Sequence, residues 1–327
     1  MDGSWHRMKM TGNKLYMAPM KGFTDHIFRN TFAEHFSGFD LALAPFISSK
    51  RDRIFKRKYV KDLLPENNAR LPVIPQIMSK TAEDFTALAD YLYDLGHETV
   101  NWNLGCPFPM VANKKRGSGM LPHTDRIHAF LDGVIPGIKG TLSIKIRLGW
   151  RTSNDIFRLV PVLNQYPLEE LIIHPRTGIQ RYDGEIDLEA FERCVSTINH
   201  PIVYNGDIRT LEDFKRLTRR FQGVNRWMIG RWCLADPFLP VTIKTGKDDV
   251  QDKIEKMKQF HEALFDAYST VLHGPSHILN KMKGFWRYFE LPFKDCKKAM
   301  KRIKKSRRPD QYLDLVNLFF ETDAQLL

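Results

Sequence analysis

The chain has 327 residues, 43% of them hydrophobic and 27% charged, which fits a globular protein with a substantial core and excludes a disordered chain. Its formal net charge of +12 points towards a polyanionic partner, nucleic acid before acidic membrane. The four cysteines, Cys106, Cys194, Cys233 and Cys296, form no Cys-x-x-Cys pair, which argues against structural zinc or a disulfide framework and for a reducing compartment.

The chain opens with Met1–Thr11, which has no apolar run, so no signal peptide is expected. No later segment reaches the roughly 20 apolar residues of a transmembrane helix; a cytoplasmic protein with no membrane or metal partner is expected. Short β-rich runs then alternate with amphipathic stretches. Strands are expected at Leu15–Met17, Leu41–Phe46, Val73–Met78, Thr99–Leu104, Leu142–Leu148, Leu171–His174, Ile202–Tyr204 and Arg226–Ile229. The spacing predicts helices over Asp25–Phe36, Ala82–Leu95, Asp125–Ile135, Asp155–Gln165, Leu188–Ile198 and Leu211–Thr218, with Thr81, Thr124 and Thr210 as N-caps. The second crossover, Lys50 to Lys61, is longer and very basic. No Gly-x-Gly-x-x-Gly follows the first strand, which counts against a dinucleotide-binding open sheet. Beyond a polar stretch at Lys244–Asp252 only helices are expected: Lys253–Tyr268, His277–Phe289, Cys296–Lys305 and Gln311–Phe320. The predicted architecture is α/β, a (β/α)₈ TIM barrel over residues 1–243 followed by a small C-terminal helical bundle over 253–327.

In such a barrel the chemistry sits at the C-terminal ends of the strands. Polar or special residues gather there: Ala18-Pro19-Met20 and Gly22 after the first strand, Gln76 on the third, Asn103-Leu104-Gly105-Cys106-Pro107 on the fourth. Lys145 and Arg147 share one face of the fifth strand, as His174 and Arg176 do on the sixth, because strand side chains alternate. Asn205-Gly206-Asp207 and Gly230-Arg231 end the last two strands and suit a phosphate, with bare backbone N–H groups and an arginine fork, unless the glycines only make tight turns. Lys145 inside a barrel needs an anionic receiver: a flavin, a phosphate or a neighbouring carboxylate. Cys106 is a candidate general acid as a thiol, a nucleophile as a thiolate, or a buried hydrophobe. His174 either completes a buried hydrogen bond or holds a ring carbonyl, and the other three cysteines read as structural.

Taken together, Met17–Asp25, Asn103–Pro107, Lys145–Trp150, His174–Gly184, Asn205–Ile208 and Met228–Arg231 occur in the order and spacing of the tRNA-dihydrouridine synthase family, which the chain resembles from Tyr16 to about Pro240. The helical tail resembles that family's RNA-binding domain in position and texture. The resemblance implies FMN as cofactor, reduced by NADPH (or NADH), and hydride transfer to uracil C6 with Cys106 protonating C5. It implies that Pro19, Met20, Gly22, Gln76, Lys145 and His174 contact the isoalloxazine, and that Asn205, Gly206, Asp207, Gly230 and Arg231 hold the ribityl phosphate. Asn103, Arg147 and Arg176 are the implied contacts to the substrate, tRNA, for a monomeric enzyme.

The chain departs from the family pattern in three places. Phe108-Pro109-Met110 follows Cys106-Pro107 where members carry a lysine, Pro45-Phe46 stands where an acidic residue is common, and Ile77-Met78-Ser79 lacks a frequent glycine. The competing functions are a synthase acting on ribosomal RNA, a flavin barrel acting on a small molecule, and a catalytically dead RNA-binding barrel. The basic runs Lys114–Arg116 and Lys294–Arg308 weigh against the small molecule, and intact Cys106 and Lys145 against the dead barrel.

Overall fold

The computed structural model describes residues 12–51 and 55–327. The reading of Met1–Thr11, and positions 52–54 of the basic crossover, lie outside the described residues. The strands are β1 Lys14–Met17, β2 Leu41–Leu43, β3 in two pieces (Val73–Ile74 and Gln76–Met78), β4 Thr99–Leu104, β5 Thr141–Gly149, β6 Leu168–Thr177, β7 Ile202–Tyr204 and β8 Arg226–Ile229. Helices α1 His26–His35, α2 Ala82–Asp94, α3 Thr124–Val134, α4 Asp155–Leu163, α5 Leu188–Thr197, α6 Leu211–Arg220 and α7 Leu239–Thr245 belong to the same unit.

Every strand pairs in parallel with the next, and β8 pairs with β1 through Lys14↔Arg226 to Met17↔Ile229. The circle closes on β3. Its first piece pairs with β2, Ala42↔Val73 and Leu43↔Ile74, and its second with β4, Gln76↔Asn101 and Ile77↔Trp102. Pro75 separates the pieces because it has no N–H to give to the ladder, although its carbonyl still accepts from Asn101 N at 2.8 Å. Pro45 ends β2 early in the same way, and the pairing resumes at Ile47–Ser48. The result is a (β/α)₈ barrel.

Inside the barrel Tyr16, Ala18, Leu43, Ile172, Val203 and Met228 form one small apolar layer, while the larger core lies between strands and helices. At the N-terminal end Tyr16 Oη and Arg226 Nη1 each donate to Glu170 Oε2 at 2.8 Å, closing the floor. Among its described residues the basic crossover and the segment after it hold three short 3₁₀ turns, Arg57–Tyr59, Lys61–Leu63 and Pro65–Asn67, the last two tied by Arg29 of α1. Fully buried Arg29 donates to the carbonyls of Thr24 (2.7 Å) and Asp62 (2.6 Å), to Asn68 Oδ1 (2.7 Å) and to the Asp62 carboxylate (3.3 Å). Those bonds offset the several kcal/mol that burying the guanidinium costs. Thr210 caps α6 by accepting from Asp213 N at 3.1 Å. Thr81 spends its hydroxyl on the Asp84 carboxylate instead, and His123 rather than Thr124 occupies the cap of α3.

After α7 the tail helices are α8 Lys253–Ser269, α9 Pro275–Phe289, α10 Lys297–Lys305 and α11 Pro309–Leu318. They dock on α1 and the β1–α1 loop through rings. Phe260 lies 4.9 Å from Phe36 and 5.8 Å from Phe28, and Phe285 stacks on Phe28 at 5.6 Å. Asp25, the N-cap of α1, also accepts from Tyr268 Oη and Lys281 Nζ, both at 2.7 Å. One apolar cluster therefore runs through barrel and tail. Among the described residues no helix is long and apolar enough to cross a membrane.

Candidate active site

The mouth of the barrel is assembled from the loops after β1, β4, β5, β6, β7 and β8. After β1, Thr24 Oγ1 donates to the Ala18 carbonyl (3.2 Å) and accepts from Met20 N (2.8 Å), folding Pro19 and Met20 back over the barrel. Gly22 completes that turn at φ +87°, a left-handed value that a side chain would strain.

A polar chain crosses the interior below. Asn103 Nδ2 donates to Gln76 Oε1 (2.7 Å), Gln76 Nε2 to Asn101 Oδ1 (2.8 Å), and Asn101 Nδ2 to Ser143 Oγ (2.7 Å). Asn103 Oδ1 accepts from Gly105 N (3.1 Å) and Cys106 N (2.9 Å), so Asn103 shapes the loop that carries the cysteine. Asn101 and Ser143 were missed by sequence reasoning; the signal was two asparagines alternating on one apolar strand.

Cys106 is buried beside the mouth, its carbonyl held by Ser118 N (3.1 Å) and Oγ (2.9 Å). Burial pushes its thiol up, against the Phe108 N–H and the charges of Arg147, Lys21 and Lys145. The thiol form is thus the resting one at neutral pH. Cys194 and Cys233 are wholly buried, each pushed up to about 12, chiefly by that burial.

Lys145 lies opposite Asn103 in the β4–β5 register. No carboxylate or hydrogen-bond partner meets its ammonium among the described residues. Burial, then Arg147, brings its pKa down to about 7, with Cys106 opposing. Arg147 donates to the carbonyls of Gly105 (2.9 Å) and Thr177 (2.8 Å), and burial lowers it to about 10. Neither cation has a fixed counter-charge among the described residues, so the pocket is electropositive.

On β6, Arg176 Nη1 lies 3.2 Å from His174 Nε2. Arginine has only donors, so Nε2 is the acceptor and Nδ1 carries the proton. Burial and then the surrounding arginines and Lys145 hold His174 well below the usual histidine range, so the ring is neutral. Its Nδ1–H has no partner among the described residues. Arg176 is fully engaged, with Asp207 (2.8 and 3.2 Å), the Gly184 carbonyl (2.8 and 3.2 Å) and His174. Asp207 also receives Arg231 (2.9 Å) and Arg209 (3.2 Å); burial would raise its carboxyl, but these guanidinium bonds, led by Arg176, bring it down to about 2.

Neither Gly206 nor Gly230 has a positive φ, so neither is there for a left-handed turn. A side chain on Gly206 would strike the Tyr204 hydroxyl at 2.2 Å, whereas at Gly230, among the described residues, only Ala18 lies near, at 3.7 Å. Space for a ligand thus opens at Gly230. Asn205 donates to the Met228 carbonyl at 3.0 Å, tying β7 to β8 beneath it. Tyr182 covers the mouth, with Arg147 and Arg231 at 5.3 and 5.4 Å from its ring. It was quoted in a motif but given no role; an aromatic ring among arginines was the available signal.

The tail presents the second basic feature. In α10, Ala299, Met300 and Ile303 face the core and the lysines face out. Lys294 precedes the helix rather than sharing its face, because Asp295 takes a left-handed φ of +42° and Lys294 N bonds the Gln325 carbonyl at 2.8 Å. Lys294 nevertheless lines the same surface cavity as Lys298, Lys301 and Arg302. Lys304 is spent on Glu290 at 2.7 Å.

A parallel (β/α)₈ barrel with a polar, cationic mouth and a buried thiol defines the class: a barrel enzyme. Solved morphinone reductase in complex with tetrahydroNAD shares the fold, with a TM-score of 0.53 and 10% identity over 72% of this chain and 87% of that one. Within the class, the family description "Dihydrouridine synthase (Dus)" matches residues 16–321, and the chain belongs to that family. A tRNA-dihydrouridine synthase B of Vibrio vulnificus is 26% identical over 283 residues, 84% of this chain and 86% of that protein. A probable tRNA-dihydrouridine synthase of Rhizobium leguminosarum is 28% identical over 281 residues, 81% of this chain and 84% of that protein. The reaction is the reduction of uridine to dihydrouridine.

Proposed function

We propose that the chain reduces uridine to 5,6-dihydrouridine in tRNA, with FMN as its flavin and NADPH as reductant. The observation that carries the flavin reading is Lys145, an ammonium inside the barrel with no protein anion among the described residues to receive it, beside the neutral Cys106 thiol. The free Nδ1–H of His174, the spare N–H of the Gln76 amide and the open space at Gly230 fit the same ligand. When bound, the flavin supplies hydride received from the nicotinamide to uracil C6.

The protein's own residues do the rest. Lys145 and Gln76 orient the isoalloxazine, Pro19, Met20 and Gly22 bound it, and Arg231, Gly230, Gly206 and Asn205 receive the ribityl phosphate. Asp207 acts through Arg231, whose guanidinium it aims. Charge gathering on the uracil carbonyls is met by Arg147, and Cys106 gives its proton to C5, so one hydride and one proton complete the saturated bond. Arg176 we assign as a strut for Asp207 and His174 rather than a contact to RNA, since its donors are taken. Residues up to 243 form the catalytic unit and 253–327 the RNA-binding unit in this reading.

The test is spectroscopic. Purified protein should be yellow, absorbing near ~450 nm, or become so with added FMN. In the ligand-free protein Lys145 is charged below pH of about 7. Above it, binding that engages the ammonium must bring in a proton, and affinity should fall by up to about tenfold per pH unit. Lys145→Met should bind flavin more weakly and lose that pH dependence. Wild-type protein that stays colourless with FMN, or an affinity flat with pH in the wild type, would contradict the assignment.

A further inference from the structure

We propose that Phe108, Met110 and Ile179 form an apolar rim on which the bases flanking the target uridine stack while that uridine enters the pocket. The proposal rests on the reading that the substrate is folded RNA. Among the described residues, four of the eight exposed large apolar side chains lie on just two of the barrel's loops: Phe108 (54% exposed), Met110 (83%), Ile179 (51%) and Tyr182 (44%). Scattered exposed apolar residues need no explanation, but a concentration at the mouth of a site does.

The two loops are fastened together. Arg147 bridges them through the Gly105 and Thr177 carbonyls at 2.9 and 2.8 Å, and Ser118, bound to the Cys106 carbonyl, also lies against Gly178. Phe108 is two residues from Cys106, and its N–H faces the sulfur. Its carbonyl caps the turn Pro109–Ala112 by accepting from Val111 N and Ala112 N, both at 2.9 Å. Ala112 is buried against Gly119, where a side chain would meet the Ala112 carbonyl at 2.1 Å. Met110 is therefore held outward by a braced turn.

Charge selects the occupant. Exposed Lys114, Lys115, Arg151 and Arg181 lie on these loops or the adjoining one after β5, and none is ion-paired among the described residues; the exposed acids there are Asp183 and Glu185. Apolar faces ringed by unpaired cations suit a ligand with flat apolar rings and anionic links, which is a nucleic acid strand. Extracting a base removes its stacking, and a rim that stacks on the neighbours restores part of it.

Stacking and phosphate contacts differ in their response to salt. The double variant Phe108→Ala/Met110→Ala should bind tRNA lacking dihydrouridine about tenfold more weakly. The loss should be the same at every salt concentration, leaving the slope of log K against log salt unchanged. Phe108→Trp should restore most of the affinity, and Ile179→Ser alone should weaken binding. Flavin content of each variant reports that the barrel is intact. Unchanged affinity, a flattened slope, or a changed oligomeric state in place of changed RNA binding would overturn the rim. Wild-type protein that binds the tRNA but forms no dihydrouridine would count against the reduction reading instead.

Discussion

Cys106→Ala is expected to retain its flavin and its reduction by NADPH, yet to form dihydrouridine about 10²–10⁴-fold more slowly than the wild type. The split follows from where the residue stands. Asn103 and Ser118 hold the Cys106 backbone by bonds of 2.9 to 3.1 Å that the substitution leaves in place, so the loop and the flavin contacts survive. On the proposed assignment only the proton for C5 is removed. Burial raises the thiol, so the wild type keeps its proton through neutral pH, and in flavin-saturated protein the proton-donation step should be lost as pH rises through that elevated value. Rapid flavin reduction followed by slow reoxidation with RNA is the signature to measure in a stopped-flow instrument. A variant that turns RNA over at the wild-type rate would make water or another group the donor.

The second large effect is expected in the tail. Changing Lys297, Lys298, Lys301 and Arg302 to Ala should weaken tRNA binding and flatten its salt dependence, each lost phosphate contact reducing the slope by up to about 0.9. These four are exposed on α10 and free of ion pairs among the described residues, whereas Lys304 is held by Glu290. Because Ala299, Met300 and Ile303 carry the packing of the helix, the substitutions should leave the tail folded. Binding titrations across a range of salt concentrations check the result. An unchanged affinity and slope would move the main phosphate surface to the Lys114–Arg116 loop.

Much of this was legible in the sequence, for identifiable reasons. Buried parallel strands read as apolar runs, so all eight strands and the mouth residues that follow them could be located. β6 was cut short at both ends, because Glu169-Glu170 at its start and Pro175 to Thr177 at its mouth interrupt the apolar run, and such residues disguise a strand as a loop. The crossover resisted because its order comes from Arg29, an interior partner distant in sequence. The tail looked separate, since nothing local reveals that Phe28 and Phe36 present their rings to Phe260 and Phe285. The resemblance implies Arg176 as a substrate contact, and only the coordinates reveal that Asp207, Gly184 and His174 consume its donors.

The most direct test of the central claim is to incubate the purified protein with FMN, NADPH and tRNA from cells lacking dihydrouridine, then digest the RNA and quantify its nucleosides by mass spectrometry. The account predicts dihydrouridine that accumulates with NADPH consumption and is nearly abolished by Cys106→Ala. NADPH consumption by a flavin-loaded protein with no dihydrouridine formed in tRNA would contradict it.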